Sequence, residues 1–188
     1  MRKTALLLAL LLSGFVFPQA EIVGGEDCDI SEYPWQAAIS ISSGDGYYYS
    51  CGASVIHDYW LLTAAHCVEE GNQIANPEDV TVTLGTTYDS GSGGEEYEVE
   101  EVISHSSYSG GDNDIALLRT KELIQFNDDV QPISIICSDQ VSAGAQDVGM
   151  MATITGWGNT SQGGQGSYIL QYINTYSCVT HDVPRRGS

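Results

Sequence analysis

Basic residues are scarce in this sequence. Its 188 residues include 6 Lys and Arg against 25 Asp and Glu, which gives a formal net charge of −19 at pH 7. Most of the basic residues lie near the two ends, so the body of the chain carries only Arg119 and Lys121. Nucleic acids and anionic membranes bind proteins through basic surfaces. The composition therefore argues against both kinds of partner, although selection for solubility alone explains the acidity equally well.

The sequence also lacks an apolar run long enough to cross a membrane. The run at residues 5–17 is shorter than the roughly 20 residues that a transmembrane helix needs. It follows the basic pair Arg2 and Lys3 and precedes Pro-Gln-Ala at residues 18–20. A basic start, a short apolar core and a small residue before the cut are typical of a secretory signal peptide. We predict a signal peptide over residues 1–20 and a secreted, extracellular, soluble product.

No apolar pattern of helical period continues for a useful length. The chain instead has short β-rich runs separated by Gly and Asp turns, at residues 37–42, 47–55, 80–84, 97–104 and 115–118. Runs of this kind predict antiparallel strands joined by hairpins. The sequence therefore favours an all-β fold.

Four short motifs occur in an order that characterises one known family. Residues 22–25 read Ile-Val-Gly-Gly, 63–67 Thr-Ala-Ala-His-Cys, 112–118 Asp-Asn-Asp-Ile-Ala-Leu-Leu and 156–158 Gly-Trp-Gly. Together they resemble the chymotrypsin/trypsin-like serine endopeptidases, peptidase family S1. The resemblance implies a fold of two antiparallel Greek-key barrels. We expect the first barrel to be complete and the second to be partial.

The resemblance also implies roles for individual residues. His66 would be the general base, because imidazole titrates near neutral pH. Asp114 would be buried against His66, orient it and stabilise its charged form. Cys51 would form a disulfide with Cys67, which constrains the loop beside the base by roughly 3 kcal/mol in the entropic model. Taken alone, a histidine in an apolar setting is a packed core residue, and an aspartate before an apolar run is a turn residue.

Ile22 would be the mature N-terminus, whose freed amino group pairs with a buried carboxylate in this family. The residues before it, Ala20 and Glu21, do not include the Lys or Arg after which a trypsin-like activator cuts. A Gly-Gly turn before a strand is compatible with the same motif.

Five cysteines in a secreted chain indicate oxidised pairs with one thiol left over. Beyond the bridge implied by the resemblance, Cys28, Cys137 and Cys178 remain. A Cys28–Cys137 bridge is a guess, and the pairing of these three stays open.

Several other patterns are weaker. The Ser-Gly-Ser-Gly-Gly within residues 87–94 superficially resembles a nucleophile motif but precedes the acid, which is the wrong order, and indicates a flexible loop. Asp89, Glu95 and Glu96 offer oxygen atoms for calcium, but their spacing fits poorly, and we predict no metal site and no cofactor. The sequon at residues 159–161 matters only if it is exposed.

The resemblance covers residues 22–172, which we predict to be one incomplete peptidase domain, and a divergent tail follows at 173–188. The family's nucleophile serine, its oxyanion hole and the buried acid that receives the amino group of Ile22 have no match after Tyr172. We therefore predict a serine-type endopeptidase by family, with polypeptide substrates, in which base and acid are present and the nucleophile is absent. Such a chain would be inactive as written, because the base acts by accepting the serine's proton.

Two alternatives compete with this interpretation. The chain would be a non-catalytic homologue that binds or regulates a partner, or a secreted β-barrel module unrelated to proteolysis. The four ordered motifs argue against the second alternative. Retention of His66 and Asp114 argues mildly against the first, because binding does not need them. The sequence leaves substrate specificity and oligomeric state open.

Overall fold

The computed structural model describes Ile22 and residues 24–43, 48–71, 73–145, 147–161 and 164–177. The predicted signal peptide, Cys178 and most of the predicted tail lie outside the described residues. No helix within the described ranges is long and apolar enough to span a membrane.

Strands dominate the described residues. In chain order they are β1 (Glu26–Asp27), β2 (Gln36–Ser42), β3 (Tyr48–His57), β4 (Trp60–Thr63), β5 (Glu69–Glu70), β6 (Gln73–Ile74), β7 (Val80–Leu84), β8 (Glu95–Ser104), β9 (Ala116–Thr120), β10 (Met151–Gly156) and β11 (Gln171–Tyr176). The helices are short: α1 (Ala65–Val68), α2 (Ser138–Ser142) and the 3₁₀ turns Ile30–Glu32 and Pro77–Asp79.

Six strands close into one barrel in the order β2-β3-β4-β9-β8-β7. Every neighbouring pair is antiparallel. This confirms the predicted all-β fold with a closed first barrel. The four-residue strand β4 was not among the strands that the sequence predicted, because its apolar run continues directly into α1.

The barrel encloses the main hydrophobic core. Burial alternates along β2 and β9, as it must when one face of a strand lines the interior. The larger side chains at its centre are fully buried: Ile39, Val55, Leu61, Val82, Leu84 and Leu118. Each such burial stabilises the fold by roughly 1.5–3 kcal/mol relative to exposure. The barrel is therefore a packed body that fixes the positions of its loops.

A second, open sheet has the order β1-β11-β10. A small cluster of Cys28, Ile30 and Leu170, flanked by Tyr33 and Trp157, joins it to the N-terminal segment. Most of β10 is exposed, including Met151 to Ile154. This partial sheet agrees with the prediction of an incomplete second barrel.

The loop between β7 and β8 is more ordered than its Gly-rich and Ser-rich sequence suggested. Thr86 is 1% exposed, and its hydroxyl hydrogen is shared between the carbonyl oxygens of Tyr88 at 2.9 Å and Ser92 at 3.0 Å. Gly94 fits there because a Cβ would lie 2.6 Å from the Leu84 carbonyl oxygen. The indole nitrogen of Trp157 donates to the Thr87 carbonyl at 3.0 Å. The loop is thus a hydrogen-bonded support for the second sheet rather than a free linker.

The guessed Cys28–Cys137 bridge is wrong, since both thiols are free in the structure. Cys28 is buried beside Leu170, whose carbonyl accepts its thiol hydrogen at 3.5 Å. Cys137 is exposed at the N-cap of α2.

Candidate active site

Strand pairing brings the two predicted site residues to one end of the barrel. β4 pairs with β9 so that Thr63 lies opposite Ala116. His66 follows Thr63 in the first turn of α1, and Asp114 precedes Ala116 in the loop before β9. Because both segments leave the barrel at the same rim, two residues 48 positions apart in sequence come into contact.

The contact between His66 and Asp114 is bidentate. His66 Nδ1 lies 2.7 Å from Asp114 Oδ2, and the His66 backbone nitrogen donates to Oδ1 at 2.8 Å. An ionised carboxylate only accepts hydrogen bonds, so Nδ1 carries the proton and Nε2 keeps a lone pair. An imidazole held in this tautomer can accept a proton from a neighbouring hydroxyl through Nε2.

The carboxyl group of Asp114 is held in its ionised form. Partial burial raises its pKa, but hydrogen bonds from the His66 side chain and backbone outweigh this and lower the pKa below its usual range. The side chain is 32% exposed and that of His66 is 55% exposed. Asp114 is therefore less buried than the sequence predicted, because it lies in a loop at the barrel rim.

A disulfide between Cys51 and Cys67 is present, with Cα atoms 6.1 Å apart. It ties α1 to β3, next to the hydrogen bond that the Thr63 hydroxyl donates to the Gly52 carbonyl at 2.8 Å. Cys67 Sγ lies 3.6 Å from His66 Nε2. The bridge therefore fixes the backbone directly after the histidine, and the Thr63 hydrogen bond fixes it just before.

Comparison with known proteins agrees with this arrangement. The sequence model of the Trypsin family matches residues 22–186. The chain belongs to the trypsin family. The match continues past Tyr172, where the resemblance predicted from the sequence ends.

Two relatives illustrate the similarity within this family. The chain is 36% identical over 159 residues to a trypsin of Phaedon cochleariae, an alignment that covers 83% of the chain and 57% of that protein. It is 31% identical over 180 residues to a Suppressor of tumorigenicity 14 protein homolog of Bos taurus, covering 89% of the chain and 20% of that protein. The chain thus spans little more than half of one relative and a fifth of the other.

Ile22 is buried in the segment before β1 of this trypsin-family chain. It is 4% exposed, and its backbone nitrogen donates to the Asn159 carbonyl oxygen at 2.7 Å. Asn159 is itself only 5% exposed, so the sequon at residues 159–161 is closed to modification in the folded protein. The structure thus packs the segment at Ile22 against the turn after β10.

Asn113 is a site residue to which the sequence analysis assigned no role. It adopts a φ of 58°, a left-handed conformation in which Asn is several-fold enriched. Its side-chain nitrogen donates to the Ser107 carbonyl oxygen at 3.0 Å. This turn aims Asp114 at His66. The available signal was an asparagine directly before the aspartate at a predicted strand start.

The acidic loop residues that were considered for calcium form no ligand group in the structure. Glu95 accepts a hydrogen bond from the Tyr97 hydroxyl at 3.2 Å. Within the described ranges, a compact group of three metal-ligand side chains occurs at Cys51, His66 and Cys67. With the disulfide closed, its sulfur atoms are not thiolates, which are the form that binds metals.

Proposed function

We propose that this chain is a secreted trypsin-like serine endopeptidase homologue in which His66 is the general base and Asp114 orients it. The observation that carries the proposal is the bidentate contact, with 2.7 Å between Nδ1 and Oδ2 and 2.8 Å between the backbone nitrogen and Oδ1. Family membership gives this pair its chemical meaning, because the same pair activates a serine in proteolysis. The roles of Cys51 and Cys67 are to hold the base in place.

The nucleophile is the missing part of this machinery. The motif Gly-Asp-Ser-Gly-Gly does not occur among the 188 residues, and the early Ser-Gly-Ser-Gly-Gly lies in the loop held by Thr86. Without a nucleophile and an oxyanion hole, base and acid have no reaction to assist. We therefore propose that a protein of these 188 residues hydrolyses no peptide bonds by itself.

The proposed substrates are polypeptides, and secretion is the proposed destination. Both basic residues in the body are engaged in ion pairs with carboxylates of β8, Arg119 with Glu100 and Lys121 with Glu98. This charge distribution supports the proposal that nucleic acids and anionic membranes are not partners. The net negative charge of the chain favours basic substrates only weakly, through long-range electrostatic attraction.

A binding or regulatory role without catalysis is the second candidate. The observation that favours it is the exposure of apolar side chains on the open sheet: the cross-strand pair Met151 and Tyr176 is 65% and 68% exposed on one face, and Ile154 is 51% exposed on the other. Exposed apolar patches of this kind mark interaction surfaces. The retained contact between His66 and Asp114 favours the protease interpretation, because a binding surface does not require it.

Hydrolysis of a mixed peptide library tests the first proposal. Correctly oxidised protein and its His66→Ala variant should both leave the library intact, with His57→Ala as the matched control. Cleavage that disappears in His66→Ala and persists in His57→Ala would refute the claim of inactivity and locate the base.

Sequencing the transcript beyond the Tyr172 codon separates the two candidate functions. A continuing frame with Gly-Asp-Ser-Gly-Gly makes the chain part of an active protease, whereas a stop after Ser188 in every transcript favours the binding role.

The base and acid assignment has its own test. In proton NMR, the Nδ1 hydrogen of His66 should give a strongly downfield signal because it is donated to an ionised carboxylate. Asp114→Asn should remove this signal, while His57→Ala should leave it. A signal that survives Asp114→Asn would contradict the assignment.

A further inference from the structure

The disulfide beside the histidine belongs to a compact group of potential metal ligands. One ligand atom each from Cys51, His66 and Cys67 lie within 4.8 Å of one another. We propose that reduction of the Cys51–Cys67 disulfide creates a binding site for one Zn²⁺ ion, with the two thiolates and His66 Nε2 as ligands.

The geometry of the closed bridge already suits one of these ligand pairs. With a zinc–sulfur bond of about 2.3 Å and a zinc–nitrogen bond of about 2.0–2.1 Å, tetrahedral angles place sulfur and nitrogen about 3.6 Å apart. The distance from Cys67 Sγ to His66 Nε2 is 3.6 Å. These two ligands can therefore bind one ion without moving the backbone of α1.

The second sulfur has to move only locally. In a tetrahedral site two thiolate sulfurs lie about 3.8 Å apart, a separation that a broken bridge can reach by side-chain rotation. The Cα atoms of Cys51 and Cys67 are 6.1 Å apart, and strand β3 and helix α1 hold them there. The backbone thus keeps both thiols beside the imidazole.

Asp114 supplies the outer support that zinc-binding histidines usually have. Its carboxylate accepts from Nδ1 at 2.7 Å, which leaves Nε2 as the available metal ligand. A carboxylate in this position fixes the tautomer and ring orientation and raises the basicity of the ligand. The His66 side chain is 55% exposed, so an ion from solvent can reach it. Three protein ligands and a water molecule complete a four-coordinate site.

A phosphine supplies the two electrons that reduce the Cys51–Cys67 disulfide. The phosphine attacks one sulfur, the sulfur–sulfur bond breaks, and water supplies the oxygen of the phosphine oxide and the protons of the two thiols. Zn²⁺ binding then releases the two thiol protons to solvent, because thiolates are the ligands. The oxidised protein lacks these thiolates and has no such site.

Metal binding would also occupy the nitrogen that accepts a proton in catalysis. This consequence rests on the proposed function, whereas metal binding itself does not. A failure of the binding experiment leaves the assignment of His66 as the base untouched, and a failure of that assignment leaves the metal site untouched.

The test uses Co²⁺ as a spectroscopic probe. The full chain carries Cys137→Ser and Cys178→Ser to remove two other thiol ligands for the metal, and is compared in oxidised and phosphine-reduced form. The reduced protein should bind one Co²⁺ with tetrahedral visible bands and thiolate-to-metal charge transfer, and Zn²⁺ should displace it. The oxidised protein should show neither.

Variants separate this site from adventitious binding. Asp114→Asn removes an outer-shell partner and should lower the metal affinity by about 10–100-fold. His66→Ala removes a ligand and should lower the metal affinity by more than that. His57→Ala is the matched control and should change nothing. Binding that is equal in oxidised and reduced protein, or unchanged in His66→Ala, would overturn the proposal.

The zinc site can be tested even if reduction of the disulfide unfolds the chain. If the reduced chain unfolds, Zn²⁺ should restore its β circular dichroism, because binding to the folded state stabilises that state. If the chain stays folded, Zn²⁺ should raise the thermal midpoint of the reduced protein and leave that of the oxidised protein unchanged. Reduced protein that responds to Zn²⁺ in neither way refutes the site.

Discussion

Replacing Cys51 and Cys67 together by alanine should lower the free energy of unfolding by about 3 kcal/mol. The bridge closes a loop with a sequence separation of 16 residues, and the loop-closure relation gives about 3 kcal/mol at this length. Both residues are only partly exposed, so lost packing adds a smaller amount. For a chain of this size the thermal midpoint should fall by roughly 6–12 °C, at about 2–4 °C per kcal/mol.

The barrel should remain folded in this double variant. Near the bridge, the hydrogen bond from Thr63 to Gly52 at 2.8 Å and that from the His66 backbone to Asp114 at 2.8 Å do not involve sulfur. The loss should therefore appear as lower stability without loss of β structure.

Urea unfolding followed by tryptophan fluorescence measures the difference by linear extrapolation. Cys137→Ser is the matched control, because that cysteine is exposed and free and serine keeps a hydrogen-bond acceptor at the N-cap of α2; it should change stability by no more than about 0.5 kcal/mol. A double variant as stable as the wild type, or a control that loses as much, would refute the argument that the bridge stabilises by loop closure.

Three further outcomes are expected. His66→Ala should raise the pKa of Asp114, measured by carbon NMR of the carboxyl group, because it removes the side-chain hydrogen bond from His66 that lowers this pKa; an unchanged value would contradict the contact. Since the folded pKa lies below the unfolded value of about 3.9, the contribution of this carboxylate to stability is complete above that pH and disappears as pH falls through the folded pKa. Iodoacetamide near neutral pH should label Cys137 long before Cys28, because burial raises the pKa of the Cys28 thiol to about 11 and hydrogen bonds lower that of Cys137; equal rates in peptide mapping would show that Cys28 is accessible. The unpaired edge of β10 in the described sheet should make the protein self-associate in sedimentation experiments, and Ile154→Lys should reduce this, because Ile154 is 51% exposed on that strand and charge opposes edge pairing; a protein that stays monomeric, or association unchanged in the variant, would contradict this.

Local sequence patterns were sufficient for most of the barrel. The run at residues 80–84 is strand Val80–Leu84 itself, and the run at 37–42 is β2 within one residue. Alternating apolar residues predict strands because the side chains of a strand point to opposite faces in turn. The order of four motifs, together with these runs, predicted the family and the closed barrel. Strand β4 was not predicted because its apolar run continues directly into α1, so that no turn residue or change of period marks where the strand ends.

Only the tertiary structure decided which residues meet. The 2.7 Å contact between His66 and Asp114 depends on the register that places Thr63 opposite Ala116. That register comes from packing between strands distant in sequence, which no local pattern contains. The same reason explains why the Gly-rich loop proved to be hydrogen-bonded to Thr86 and why Asn159 proved to be buried. The sequence by itself determined the element types and the chemistry available, whereas long-range pairing determined where that chemistry comes together.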